Sequence, residues 1–88
     1  MRPAIVMASA GRNDWILCQV TSKPYADERA IPLSDSDFQS GSLRVTSYAR
    51  PGKLFTANED LIAGVLGALK SETLAKLIDS TVKLLKAE

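Results

Sequence analysis

With 88 residues, of which 45% are apolar, the chain has room for one small core and no second one, and it is too apolar to stay disordered. It has no histidine and a single cysteine, which excludes histidine acid–base catalysis, Ser-His-Asp and Cys-His nucleophiles, internal disulfides and histidine or CxxC zinc sites. Eleven basic residues against ten acidic ones leave a formal charge of +1, so any nucleic-acid surface has to be local.

Ala4-Ile5-Val6-Met7 is a continuous apolar run entered from Pro3 and reads as a buried strand. Gly11-Arg12-Asn13-Asp14 is turn chemistry. Trp15 to Thr21 is aromatic and β-branched and reads as a second strand, so the two runs predict a hairpin. Within it, Cys18 reads as a small buried hydrophobe and Trp15 as a rim or core residue. Lys23 to Arg29, with Pro24, is a loop. Ala30-Ile31-Pro32-Leu33 is a short strand that Pro32 confines to an edge or a strand end.

Ser34 to Phe38 predicts one helical turn, ending before Gly41. Ser42 to Ala49 alternates, with Leu43, Val45 and Ser47 on one face and Arg44, Thr46 and Tyr48 on the other, which predicts a half-buried strand. Arg50-Pro51-Gly52-Lys53 breaks or bulges that strand, and Leu54-Phe55-Thr56 resumes it. Asn58 is placed to cap a helical turn, followed by a short strand near Val65-Leu66. Ser71 to Lys86 is the clearest element, an amphipathic helix capped by Ser71, with Leu74, Leu77, Ile78, Thr81, Val82 and Leu85 as its apolar stripe. Several short strands followed by one helix predict an α+β fold, a small bent antiparallel sheet with a helix packed on it. No apolar run approaches the ~20 residues of a membrane span, and one unpaired cysteine fits a reducing cytoplasm.

Four segments taken together point to a family. Arg2-Pro3-Ala4-Ile5-Val6-Met7 is similar to the first signature strand of MazF/PemK-type toxins. The strand Trp15 to Ser22 resembles their second signature, which ends in Thr-Ser or Thr-Thr. Ser47 to Leu54 resembles their S-x-x-R-x-x-K-L strand and turn, and Ser71 to Leu85 their closing helix. Order and spacing agree over nearly the whole chain. The resemblance implies a single domain over residues 1–88 with an SH3-like barrel of the PemK/CcdB kind and a C-terminal helix. It implies a homodimer and the toxin of a type II toxin–antitoxin pair. The implied activity is a metal-independent, sequence-specific endoribonuclease on single-stranded mRNA, without cofactors and silenced by a cognate antitoxin. One departure stands out. Family members carry an N-terminal strand before the Arg-Pro-Ala run, whereas here Met1 stands directly before Arg2. A barrel lacking that first strand has an unpaired edge. This leaves a second reading, a non-catalytic module that dimerises or binds an antitoxin without cutting RNA; a third, a CcdB-like gyrase inhibitor, is less favoured because the RNase-type arginine and threonine are present.

By motif, the resemblance places the catalytic arginine on Arg2 and the catalytic threonine on Thr21, with RNA contacts from Ser22, Lys23, Tyr48, Arg50 and Lys53. The chemistry suits these side chains. When a ribose 2′-OH is the nucleophile, the protein's task is to position the diester and stabilise charge on phosphorus. A guanidinium gives planar bidentate donation to phosphate oxygens, and a hydroxyl donates to the same group. In a hairpin the start of the first strand lies beside the end of the second, so Arg2 and Thr21 are expected to be neighbours. Arg44, Arg50 and Lys53 lie in a stretch without acids between Asp37 and Glu59, with Tyr48 available to stack on a base. The bland alternatives are a frayed terminal arginine, a turn hydroxyl and a solvated sheet face. Asp35 and Asp37 form a D-x-D pair of the kind metal nucleases use, but no third ligand accompanies them and acids are common in polar turns.

Overall fold

A computed structural model describes residues 3–24 and 26–87 of the chain. Arg2, the proposed catalytic arginine, lies outside the described residues.

Strands β1 (Ala4–Gly11) and β2 (Asp14–Thr21) form the hairpin that the sequence predicts. Both residues of its turn, Arg12 and Asn13, have left-handed backbones with φ of 52° and 65°. Positive φ at both central positions is the mark of a type I′ turn, whose twist matches the strands it joins. Asn13 tolerates this conformation, whereas Arg12 is strained in it. Arg12→Asn is therefore expected to stabilise the protein by about 0.5 kcal/mol and to raise the thermal midpoint by roughly 2–4 °C, read by calorimetry. An unchanged or lower midpoint would show that the turn is not strained at Arg12.

The chain continues through β3 (Ile31–Leu33), a 3-10 turn at Asp35–Asp37, β4 (Phe38–Gly41), β5 (Ser47–Asn58), a 3-10 turn at Glu59–Leu61, β6 (Gly67–Leu69) and helix α1 (Ser71–Lys86). Two sheets result, one in the order β1-β2-β5-β3 and the other pairing β4 with β6. All strand pairs are antiparallel. β3 sits at an edge, where the missing N–H of Pro32 is harmless.

Three local expectations are corrected. The alternating run from Ser42 is not a strand until Ser47; residues 42–46 bend instead, Leu43 drops onto the core and Val45 stays 61% exposed. The strand placed near Val65-Leu66 forms two residues later, at Gly67–Leu69, because the register is set by glycines rather than by the apolar pair. Gly41 (φ 69°) and Gly67 face each other across the β4–β6 ladder, and a Cβ on either would overlap the backbone of the other strand. The N-cap of α1 is Lys70, not Ser71. The Lys70 amide is held instead by the Asp37 carbonyl at 2.9 Å, which fixes where the helix begins.

β5 runs straight through the Arg-Pro-Gly segment as one bulged strand. Ala49 opposes Val20 and Leu54 opposes Cys18, so residues 50–53 all bulge opposite the single residue Gln19. This coils the sheet. The core lies on its concave face, where Cys18, Val20, Leu33 and Ala49 meet Leu77 of α1. Ile5, Met7, Ile31, Phe38, Leu43 and Leu69 pack around them. Cys18 is fully buried and donates its thiol to the Arg50 carbonyl at 3.2 Å; burial pushes its pKa up, so it is an inert core residue as the sequence suggests. Two buried hydroxyls are satisfied locally, Ser47 by the Val45 carbonyl and Thr81 by the Leu77 carbonyl, both at 2.9 Å.

Candidate nucleic-acid interface

Residues directly opposite each other in an antiparallel ladder project to the same face. Val20 and Ala49 point into the core, so their neighbours Thr21 and Tyr48, also paired, project from the convex face. Pro32 joins them there as the partner of Tyr48 on the other side. Ser22 and Lys23 follow Thr21 and are exposed. The backbone also brings the start of β1 to this end of the sheet. The Val20 amide donates to the Pro3 carbonyl at 3.3 Å, and Ala4 opposes Gln19. The ladder thus carries residue 3 to the position beside Val20, one residue before Thr21.

The Thr21 hydroxyl is employed in the turn that follows it. It accepts from the Lys23 amide at 3.1 Å and donates to the Lys23 carbonyl at 3.2 Å. This is the turn role, made at the position the motif assigns to catalysis. Thr21 remains partly exposed, so phosphate oxygens can compete for its proton.

Arg50 is placed differently from a free phosphate-binding side chain. Its Nε donates to Asp27 Oδ2 at 2.8 Å and its Nη1 to Gln19 Oε1 at 3.2 Å. The second oxygen of Asp27 accepts from the Arg29 amide at 3.0 Å, which ties the β2–β3 loop to the bulge of β5. Sequence reading missed Asp27, Gln19 and Arg29. Their only signal was membership of a polar loop or a strand, and no local pattern links Asp27 to an arginine 23 positions away. Lys53 is exposed in the same bulge, and with Arg29, Arg50, Asp27 and the end of α1 at Leu84 it borders an open cleft of about 460 Å³. Arg44 is exposed on the 42–46 bend.

Of the acidic pair, Asp37 is structural. Asp37 accepts from the Ser34 amide at 2.8 Å, the Ser34 hydroxyl at 3.2 Å and the Thr73 hydroxyl at 3.1 Å. Its carboxyl spans the 3-10 turn and the first turn of α1. Among the described residues, no group of three His, Cys, Asp or Glu is arranged to hold a metal ion.

These contacts set a pH dependence. The Arg50 side chain, donating to Asp27, is the main reason that its carboxyl sits below the ordinary value; the Arg29 amide adds to it. The Ser34 amide is the main cause for Asp37. A carboxylate depressed in the folded state favours folding above its unfolded pKa of about 3.9, and that contribution is lost as pH falls through the lower folded value. The thermal midpoint is expected to be flat near neutrality and to fall below about pH 4. In Asp37→Asn the fall should be shallower and the midpoint at neutral pH lower. Parallel profiles for the two proteins would contradict the assignment.

No helix among the described residues is long and apolar enough to cross a membrane. Neither a family model nor a curated protein matches the sequence. Solved structures do match. A mycobacterial endoribonuclease in complex with its cognate antitoxin superposes with a TM-score of 0.74 at 15% identity, over 99% of this chain and 80% of that one. A second mycobacterial endoribonuclease gives a TM-score of 0.74 at 17% identity, over 96% of this chain and 79% of the other. The fold of this chain is therefore the one that its MazF/PemK-like segments implied, the curled antiparallel half-barrel with one C-terminal helix that these endoribonucleases share.

Proposed function

We propose that the chain is the toxin of a toxin–antitoxin pair and acts as a metal-independent endoribonuclease on single-stranded mRNA at short preferred sequences. It works in the cytoplasm, as a homodimer, with an acidic antitoxin covering the same surface. The observation that carries this reading is the superposition on the mycobacterial endoribonucleases over almost the entire chain, one of them bound to its antitoxin. The signature segments support it from the sequence side.

In the proposed reaction the ribose 2′-oxygen bonds to phosphorus and the P–O5′ bond breaks, leaving a 2′,3′-cyclic phosphate and a 5′-hydroxyl. The 2′ proton is lost and the leaving oxygen gains one. Arg2 holds the non-bridging oxygens and neutralises the charge that builds on them. The Thr21 hydroxyl exchanges its bond to the Lys23 carbonyl for one to the phosphate. Tyr48 stacks on a base, while Ser22, Lys23, Arg50 and Lys53 hold the flanking phosphates. RNA that takes the Arg50 Nε competes with Asp27 for it.

A specific observation also favours the non-catalytic reading: the Thr21 hydroxyl and the Arg50 guanidinium are both already engaged within the protein. Incubation with a labelled single-stranded RNA in EDTA separates the two. Cleavage to cyclic-phosphate ends supports the endoribonuclease. Binding without cleavage supports the module.

A further inference from the structure

The Arg50 guanidinium is held on two sides and open on the third. Its Nε donates to Asp27 Oδ2 at 2.8 Å and its Nη1 to Gln19 Oε1 at 3.2 Å. The remaining hydrogens, both of those on Nη2 and the second on Nη1, have no partner among the described residues. Neither acceptor is free to swing away. The other oxygen of Asp27 accepts from the Arg29 amide at 3.0 Å, the Asp27 amide donates to the Pro24 carbonyl at 2.9 Å, and its carbonyl accepts from the Ala30 amide at 3.1 Å. Ala26, just before it, has a left-handed backbone with φ of 61°, a strain that persists only where the surroundings impose it. Gln19 sits inside the sheet, opposite Ala4 on one side and the bulge of residues 50–53 on the other. The cleft that Arg50 borders carries Arg29 and Lys53 on its rim, but also Glu28. With Asp27 that makes three cations and two carboxylates, too small a surplus to gather RNA by charge alone. Fixed geometry has to do what net charge does not.

We propose that Asp27 is a positioning residue for RNA: with Gln19 it holds Arg50 so that the unpaired Nη hydrogens donate together to one backbone phosphate at this cleft. The inference rests on the RNA-binding part of the proposed function and does not require cleavage. Nη1 and Nη2 form the end of the guanidinium fork, an edge that meets two phosphate oxygens side by side. A loose arginine gives up rotamer freedom when it takes a phosphate, whereas the fold has already ordered Arg50. The opposite role for Asp27 is a gate, a carboxylate that steps aside so that RNA takes the Nε. That role requires it to leave a turn closed by its own amide, its own carbonyl and the Arg29 amide. Asp27→Asn separates clamp from gate by sign. An asparagine has one oxygen, so it cannot accept from both the Arg50 Nε and the Arg29 amide. For a gate, the substitution frees Nε and adds a positive charge to the surface, and RNA binds more tightly. For a clamp, Arg50 is released and RNA binds more weakly in spite of the added charge.

Binding of the full chain to a fluorescent 2′-O-methyl oligoribonucleotide, whose blocked 2′-oxygen cannot attack, tests this by anisotropy across a salt series. All variants are compared at a temperature where circular dichroism shows each to be folded. Arg50→Ala should weaken binding about tenfold and reduce the slope of log affinity against log salt by about 0.7. Asp27→Asn should weaken binding about threefold, the cost of ordering one long side chain on binding. In the Arg50→Ala background the same Asp27→Asn change should cause no loss, because Asp27 acts only through Arg50. Tighter or unchanged binding by Asp27→Asn makes the carboxylate a competitor or a bystander, and overturns the proposal while leaving RNA binding intact. Equal losses with and without Arg50 would mean a general loosening of the loop and overturn it as well. A native chain that binds no RNA overturns both this inference and the functional reading. Binding that follows the expected pattern without cleavage in EDTA supports the clamp on a non-catalytic module.

Discussion

Leu77→Ala is expected to destabilise the protein more than truncation of any other core side chain. Leu77 is 1% exposed and is the only α1 side chain in the buried cluster with Cys18, Val20, Leu33 and Ala49. Truncation removes the apolar contact that holds the helix on the sheet and leaves a cavity that four neighbours on twisted strands cannot easily fill. The expected loss is about 2–5 kcal/mol. A chain of this length commands roughly 4–13 kcal/mol in total, so the loss is a large share of it. Urea titration should show a much lower midpoint with an unchanged slope. Ile78→Ala, one residue along on the exposed sector, serves as the contrast and should lose less than about 1 kcal/mol in the monomer. A Leu77→Ala protein within about 1 kcal/mol of the native one would mean that α1 is not anchored through this residue.

The second large effect concerns cleavage. Thr21→Ala is expected to lower the RNA cleavage rate by about 10²–10³-fold, the usual consequence of removing one donor aimed at a developing phosphorane charge. It also removes two hydrogen bonds to Lys23, so stability should fall by about 1 kcal/mol. The two readouts separate the roles of the hydroxyl. A protein that loses the turn energy and keeps its rate has a structural threonine. Thr21→Ser keeps the hydroxyl and should retain most of the activity. Arg2→Ala should be as damaging to the rate as Thr21→Ala. Full activity in both alanine variants would remove the proposed site.

Much of this molecule is written locally. Gly11-Arg12-Asn13-Asp14 carries its own turn chemistry, so the β1–β2 hairpin is legible. Pro32 lacks an amide hydrogen and so excludes an interior strand position, which is why the edge role of β3 is legible as well. The absence of histidine, a lone cysteine inside an apolar run, and a C-terminal stretch with helical periodicity determined the chemistry excluded, the fate of Cys18 and the existence of α1. Other features needed the tertiary structure. The alternation from Ser42 to Ser47 is a strand pattern, yet without a partner strand the segment bends; a pattern offers a face but does not supply the ladder. Arg50 looked free because Asp27, its partner, is close only in space. The facing pair Gly41 and Gly67 is likewise a contact between distant strands. Most telling is α1, whose stripe reads as one continuous apolar face. Only the position of the helix over β2, β5 and β3 decides that Leu77 and Thr81 are covered while Ile78, Val82 and Leu85 stay exposed. Periodicity records which residues avoid water, and the arrangement of distant segments decides what they find instead.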